Sequence, residues 1–441
     1  MTSERQQALK LALQAAHADY IAANRASAER HRQRLARMPG GNTRTVLHYA
    51  PFPLTFVRGE GVMLWSADGR RYTDFLGEFT AGLYGHSHPR IRQVLKDTLD
   101  QGLSFGGCNL YEDRFAALMA ERFRSVELIR FTNSGTEANL LAVATAVAVT
   151  GRRKVLVFKG GYHGSVFQFM GAGSPMNAPY EFLLGSYNDL DATRDLIASQ
   201  GETLAAILVE PMLGAGGCIP GSRPFLGLLR EEASRAGAIL IFDEVMTSRL
   251  APGGLQSVHQ IVPDLTTFGK YLGGGLSFGA FGGRRAIMQR FDPARPDFLM
   301  HAGTFNNNVL SLAAGLVGLH EVFTPEAVLA LNELGERLRA RLNALFSEHG
   351  VALQATGCGS LMTVHAMRGA IRTPADLAAA DPLAAELLFF DLLAAGFWIA
   401  RRGFIVVSLP TTAADCERLI SALATIIGRR APLLQGMTER T

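Results

Sequence analysis

Over residues 3–37, apolar positions such as Leu9, Leu11, Leu13, Ala16 and Tyr20 recur among polar ones, which predicts an amphipathic helix. Met38-Pro39-Gly40-Gly41-Asn42 then supplies a turn signal. From 54 to 75 the run LTFVRGEGVMLWSADGRRYTDF carries β-formers split by Gly59-Glu60-Gly61 and Ala67-Asp68-Gly69, a pattern that predicts a small antiparallel meander.

From about residue 86 the rhythm changes. Residues 154–158, 205–209 and 238–242 are β-rich and apolar at successive positions, as strands buried between two helical layers must be. Helical patterns such as 225–236 lie between them. This alternation predicts an α/β fold with a mostly parallel sheet and helices on both sides. After about residue 330 a charged helix (331–348) leads into short strands at 360–365 and 404–409 alternating with helices, the mark of a smaller α+β region. The expected organisation is a helix and meander over 1–85 packing with the small domain, a large domain over 86–330, and a small C-terminal domain over 331–441. No internal repeat or low-complexity linker interrupts it.

At 441 residues the chain is too long for one compact core, which agrees with two domains. The net charge of +4 is small, and no basic block is interleaved with aromatics, so nucleic acid is not an expected partner. The arginine-rich stretch at 29–37 reads as a solvated helix face or a subunit contact. The polar N-terminus lacks the apolar core of a secretory signal. The apolar stretch at 140–149 falls short of the roughly 20 residues that cross a bilayer, so no membrane is expected. Cys108, Cys218, Cys358 and Cys416 form no CxxC pair, which argues against a metal site or a disulfide framework and for a reducing cytoplasm.

Candidate chemistry centres on lysine. The chain holds five lysines against 38 arginines, and one of the five, Lys270, follows Asp264-Leu265-Thr266-Thr267-Phe268-Gly269 and precedes a glycine-rich turn. Upstream, the apolar run 239–242 ends in Asp243 and Glu244. An amine in such a turn, near a buried strand that ends in an acid, suits the holding of an aldehyde cofactor as a Schiff base. Lys159 is its rival, but no acidic strand end immediately precedes it.

Three further motifs accompany Lys270. Ser134-Gly135-Thr136 follows an apolar run at 128–131 and opens a helix, so its backbone N–H groups and two hydroxyls suit either a phosphate or plain N-capping. Tyr162, in Gly160-Gly161-Tyr162-His163-Gly164 at a strand end, has room to lie flat on a planar heterocycle, although a core aromatic reads the same way. Asp243 needs a partner if buried, because desolvation disfavours a lone carboxylate. A protonated ring nitrogen would serve, and so would a structural ion pair. Val245 would then supply the apolar underside of the ring, opposite Tyr162.

The set SGTEA, GGYHG, VEP at 209–211, FDEV, DLTTFGK and GTF at 303–305, in this order, resembles the class III aminotransferases of pyridoxal 5′-phosphate (PLP) fold type I, over residues from about 39 to 409. The resemblance implies a large domain with a seven-stranded-type sheet, PLP bound by Lys270, and Asp243 on the pyridine nitrogen. It also implies a homodimer with shared active sites, in which Thr304 reaches the partner subunit's cofactor phosphate. Within the family, MPGG near residue 40 and FGAFGGRR at 278–285 are similar to glutamate-1-semialdehyde aminomutase. The stretch at 303–308 and Arg401-Arg402-Gly403-Phe404 depart from that branch. Residues 42–47 and 402–404 look instead like transaminases of aromatic β-amino acids, where two arginines from opposite ends of the chain receive carboxylates. By that likeness Arg44 and Arg402 bind substrate. A guanidinium offers a planar fork that fits a carboxylate. A β-amino acid and a 2-oxo acid place their carboxylates at different distances from the reacting carbon, so two arginine sites serve both. The expected function is transfer of an amino group from an aromatic β-amino acid to a 2-oxo acid such as 2-oxoglutarate or pyruvate. The alternatives are the aminomutase and a generic ω-amine transaminase.

Overall fold

The computed structural model describes residues 3–171 and 173–435. At its centre lies a seven-stranded sheet in the spatial order Leu128–Thr132, Gly279–Gly283, Leu265–Gly269, Ile239–Asp243, Leu204–Val209, Lys154–Phe158, Glu181–Gly185. All pairings are parallel except the two made by Gly279–Gly283. Alternate residues of the strands feed opposite layers. On one face Val155, Val157, Leu208 and Ile241 meet Ala138, Ala142 and Ala146 of the helix Gly135–Thr150. On the other, Leu156, Ile207 and Leu240 meet Phe225, Leu226 and Leu229 of the helix Arg223–Ala236. Burying each Leu or Phe in these layers stabilises by about 1.5–3 kcal/mol. The continuous apolar runs therefore follow from two-sided burial.

Gly279–Gly283 is a strand the apolar pattern does not announce, since three of its five residues are glycine. Packing demands them. A Cβ at Gly279 would stand 2.1 Å from the Ser134 carbonyl oxygen, and one at Gly283 would stand 2.1 Å from that of Asp264.

The expected single N-terminal helix is two, Ser3–Ala23 and Arg25–Leu35. Asn24 breaks it: its side-chain amide donates to the Tyr20 carbonyl at 2.8 Å, and its backbone leaves helical geometry. The second helix takes its cap from far along the chain, because Asp68 accepts from Ala26 N at 2.6 Å and from Ser27 N at 3.2 Å. The meander forms as expected from Phe56–Glu60, Met63–Ser66 and Arg71–Asp74. A fourth strand, Phe397–Trp398, joins it parallel to Arg71–Asp74. The first helix packs on Pro382–Ala394, with Tyr20 edge-on to Phe390 at 5.2 Å. A three-stranded sheet of Gln354–Cys358, Leu361–His365 and Phe404–Val406 completes the C-terminal part, its last strand shorter than the expected 404–409.

Among the described residues no single helix is long and apolar enough to cross a membrane. Val309–Val322 and Pro325–Glu348 pass that test only as a pair, bent by 77°.

Candidate active site

Parallel strands end at a common edge, where open α/β sheets bind ligands. Asp243, Glu210, Lys270 and the loop after Phe158 all lie at such ends. Glycines bring the remaining pieces into contact with them. A Cβ at Gly269 would stand 3.3 Å from the Gly135 nitrogen, and one at Gly135 would stand 2.9 Å from Val245 Cγ1. At Gly164, where φ is +110°, a Cβ would sit 2.3 Å from Thr136 Oγ1. Four segments far apart in sequence thus close on one cradle.

Asp243 is 4 % exposed and well satisfied. Its Oδ2 lies 2.8 Å from His163 Nδ1 and accepts from Asn139 Nδ2 at 2.8 Å, while its Oδ1 accepts from Val245 N at 3.0 Å. Asn139 is fixed in turn by Thr267, whose hydroxyl donates to its Oδ1 at 2.7 Å. An ionised carboxylate has about four acceptor positions. These three contacts leave one, on Oδ1, for a ring N–H.

Glu210 is buried beside this network and accepts from Tyr162 N at 3.0 Å and Gly214 N at 2.9 Å. Burial pushes its pKa up to about 7, and the Asp243 charge adds to the rise while His163 and the two N–H groups oppose it.

Lys270 adopts φ +56°, a left-handed conformation costing a side-chain-bearing residue about 1–2 kcal/mol. Such outliers persist where the surroundings over-determine them. Its Nζ donates to the Phe79 carbonyl at 2.6 Å. Desolvation brings its pKa down to about 8, helped by Arg402 and Arg249 and opposed by Asp243 and Glu210.

Phe79 links this amine to a cavity of about 830 Å³ lined by Arg44, Glu78, Phe79, Trp398 and Arg402. Both guanidiniums lie 5.5 Å from the Phe79 ring centroid, and Arg402 also lies 5.1 Å from the Phe404 ring. Arg44 is paired with Glu78. Arg402 has no carboxylate at ion-pair distance among the described residues, and desolvation lowers its pKa. The wall itself is unusual: Gly77, Glu78, Phe79 and Thr80 all have positive φ, at 52°, 49°, 53° and 82°.

The other sequence-derived candidates fall as follows. Ser134 caps its helix by accepting from Glu137 N at 3.2 Å, and Thr136 Oγ1 accepts from Ser165 N at 3.4 Å. Tyr162 is 39 % exposed, and its phenol, raised chiefly by burial, feels Arg44 and Arg402 as well as Glu210 and Asp243. Lys159 is exposed at its strand end. Thr304 is exposed on the loop at 303–308, which touches the cradle through Asn306 Oδ1 accepting from Asn133 Nδ2 at 3.1 Å. Sequence reasoning passed over Asn139, His163, Glu210 and Phe79. Glu210 carried the signal that marked Asp243, an acid closing an apolar strand. His163 stands beside Tyr162 in its glycine-flanked motif, whereas Phe79 had no local signal at all.

The cradle fits a phosphate-bearing aromatic aldehyde: backbone approach at Gly135 and Gly164, a free acceptor position on a buried acid, and an amine with a lowered pKa. Comparisons agree with this fit. A model of class III aminotransferases matches residues 46–427. The chain is 53 % identical to the β-phenylalanine transaminase of Variovorax paradoxus over 97 % of its own length and 98 % of that protein's. The crystal structure of the β-phenylalanine aminotransferase from that organism superposes with a TM-score of 0.95, covering 97 % of this chain and 99 % of that one. Glutamate-1-semialdehyde 2,1-aminomutase from Thermomicrobium roseum is 40 % identical over 71 % of this chain and 76 % of its own. A transaminase solved with PLP bound is 29 % identical, with a TM-score of 0.85 over 92 % of this chain and 98 % of that one. The chain is therefore a PLP-dependent enzyme of the class III aminotransferase family.

Proposed function

We propose that this aminotransferase moves the amino group of an aromatic β-amino acid, of the β-phenylalanine kind, to a 2-oxo acid such as 2-oxoglutarate or pyruvate. The observation that carries this reading is the pair of arginines on one aromatic wall. Arg44 and Arg402 both face Phe79, whose carbonyl receives the Lys270 amine. Two guanidiniums against one ring suit two acids whose carboxylates lie at different distances from the reacting carbon. The likeness to the Variovorax enzyme supports the choice of donor.

PLP, when bound, supplies the aldehyde that takes up the amino group and the ring that spreads the charge left on the substrate carbon. Lys270 would hold it covalently, Ser134, Gly135 and Thr136 would hold its phosphate, and Tyr162 and Val245 would enclose its ring. Asp243 would offer its free Oδ1 position to the ring nitrogen and keep it protonated. Lys270, with its pKa brought down to about 8, is far more often neutral near physiological pH than an ordinary lysine, and it takes the proton from the substrate carbon. Arg402 orients the carboxylate in the cavity, and Arg44 receives one by exchanging it for Glu78. Thr304 would complete the phosphate site of a partner subunit in a homodimer. The four free cysteines favour a cytoplasmic setting.

The test uses β-phenylalanine with 2-oxoglutarate and with pyruvate, alongside a carboxylate-free aryl amine donor. Arg402→Ala is expected to raise the KM of the 2-oxo acid about 30-fold, for a charge-assisted hydrogen bond of about 2 kcal/mol, with little effect on the amine. Equal effects on both would refute the assignment. The aminomutase reading has support from the Thermomicrobium relative. Turnover of glutamate-1-semialdehyde with no added acceptor would establish it instead.

A further inference from the structure

Arg249 stands outside every motif considered so far, yet it is completely buried, at 0 % exposure. It closes the short turn Thr247–Arg249 behind the Asp243 strand. Its Nη2 donates to the Val407 carbonyl, its Nη1 reaches the Thr80 carbonyl at 3.5 Å, and its own carbonyl accepts from Asn332 Nδ2 at 2.9 Å. No carboxylate neutralises it among the described residues. The ionisable groups it feels are the phenols of Tyr271 and Tyr84. Burial holds both phenols protonated, Tyr271 up to about 12, so neither supplies an anion near neutral pH. Desolvation brings the guanidinium down to about 10, which still leaves it charged. Burying an uncompensated ion costs several kcal/mol, and an apolar side chain of similar volume would avoid that cost.

We propose that Arg249 is a positioning residue for the Lys270 amine, acting through the left-handed Gly77–Thr80 turn that it ties to the C-terminal segment. Three consecutive side-chain-bearing residues with positive φ each cost about 1–2 kcal/mol, so the turn needs anchors at both ends. Asp74 anchors the first, its Oδ1 accepting from Leu76 N at 2.8 Å and Gly77 N at 2.9 Å. Arg249 anchors the last, at the Thr80 carbonyl. Between the two lies the Phe79 carbonyl that takes the Lys270 hydrogen. The same buried cation opposes a second positive charge at Lys270 Nζ. The other charged groups acting on that atom are Asp243, Glu210 and Arg402.

This inference rests on the role given to Lys270 above, but its test needs neither substrate nor turnover. Full-length protein free of cofactor is pulse-acylated between pH 6 and 10, and the Lys270 peptide is followed by mass to give the midpoint of its reactivity. Arg249→Gln is expected to raise that midpoint by about 0.5–1 unit, through loss of the opposing charge. Arg249→Lys keeps the charge and the midpoint but holds one carbonyl instead of two. Amide exchange at residues 77–80 should then quicken about tenfold while the central sheet is unchanged. A folded Arg249→Gln protein with the unaltered midpoint overturns the proposal. So does Arg249→Lys with unaltered exchange at 77–80, and that second variant decides alone if the first does not fold. Failure of the whole functional reading would look different, as a wild-type chain that transfers no amino group.

Discussion

Burial moves two groups at the site toward neutrality from opposite sides, Lys270 down to about 8 and Glu210 up to about 7. With Lys270 as the proposed base, amino transfer needs the neutral amine, so its rate should climb with pH through about 8, as read from kcat between pH 6.5 and 9.5. Stability follows separate rules. Glu210 has a folded pKa above its ordinary value of 4.5, so its contribution is present below that value and is lost as pH rises through 7. Lys270 has a folded pKa below 10.5, so its contribution is present above that value and is lost as pH falls through 8. Glu210→Gln should therefore flatten the decline in Tm of the cofactor-free protein between pH 5 and 7. An unchanged slope in a pH series of melting curves would contradict this account. For Asp243, replacement by Asn puts an amide opposite the Asn139 Nδ2 donor and beside His163 Nδ1, and removes the charge proposed to face the ring nitrogen. Its kcat should fall by about 100-fold or more, as loss of a preorganised charge does, and its melting temperature should fall as well, since a buried N–H set against another donor costs about 1–3 kcal/mol.

Elements were legible where a single physical cause shaped them. The strands Lys154–Phe158 and Leu204–Val209 announce themselves because both faces are buried. Gly279–Gly283 does not, because its residues are chosen for closeness to Ser134 and Asp264 and not for hydrophobicity. The break at Asn24 escaped for a related reason: its cap, Asp68, comes from the meander. At the site, Lys270, Asp243 and the Ser134 turn could be read from strand ends and helix starts. Phe79 and Arg249 could not, since their work depends on which distant carbonyl or ring they meet. Gly279→Ala tests the steric account of the glycine strand. Its methyl would press on the Ser134 backbone, so it should cost about 1–3 kcal/mol and weaken cofactor retention by disturbing the helix start. Calorimetry and the visible absorbance of the purified variant would report the two effects. A neutral result would mean that the Ser134 turn yields easily.

At the scale of the whole molecule, two linked segments leave apolar side chains in the open. Leu103, Phe105, Leu110, Met300 and Phe305 are all at least 48 % exposed. The two segments that carry them are stitched together by Asn109 Nδ2 donating to the Asn307 carbonyl at 2.9 Å. Thr304 is exposed beside Phe305 in the second of these segments. Monomeric proteins seldom leave such surfaces bare, and the homodimer proposed above would cover them. Sedimentation of the purified protein should give a dimer at micromolar concentration. Phe305→Asp should shift it toward monomer and release cofactor, whereas a well-behaved wild-type monomer would leave Thr304 without its proposed task.

The parallel pairing of Phe397–Trp398 with Arg71–Asp74 has a consequence for how the enzyme is made. Every residue of the cradle, from Ser134 to Lys270, has left the ribosome well before Trp398 is translated. The cavity lined by Arg44, Phe79, Trp398 and Arg402 must wait for the last tenth of the chain. Synthesis of this protein thus delivers all the cradle residues first, and the Val407 carbonyl that holds Arg249 arrives with the second wall of the cavity.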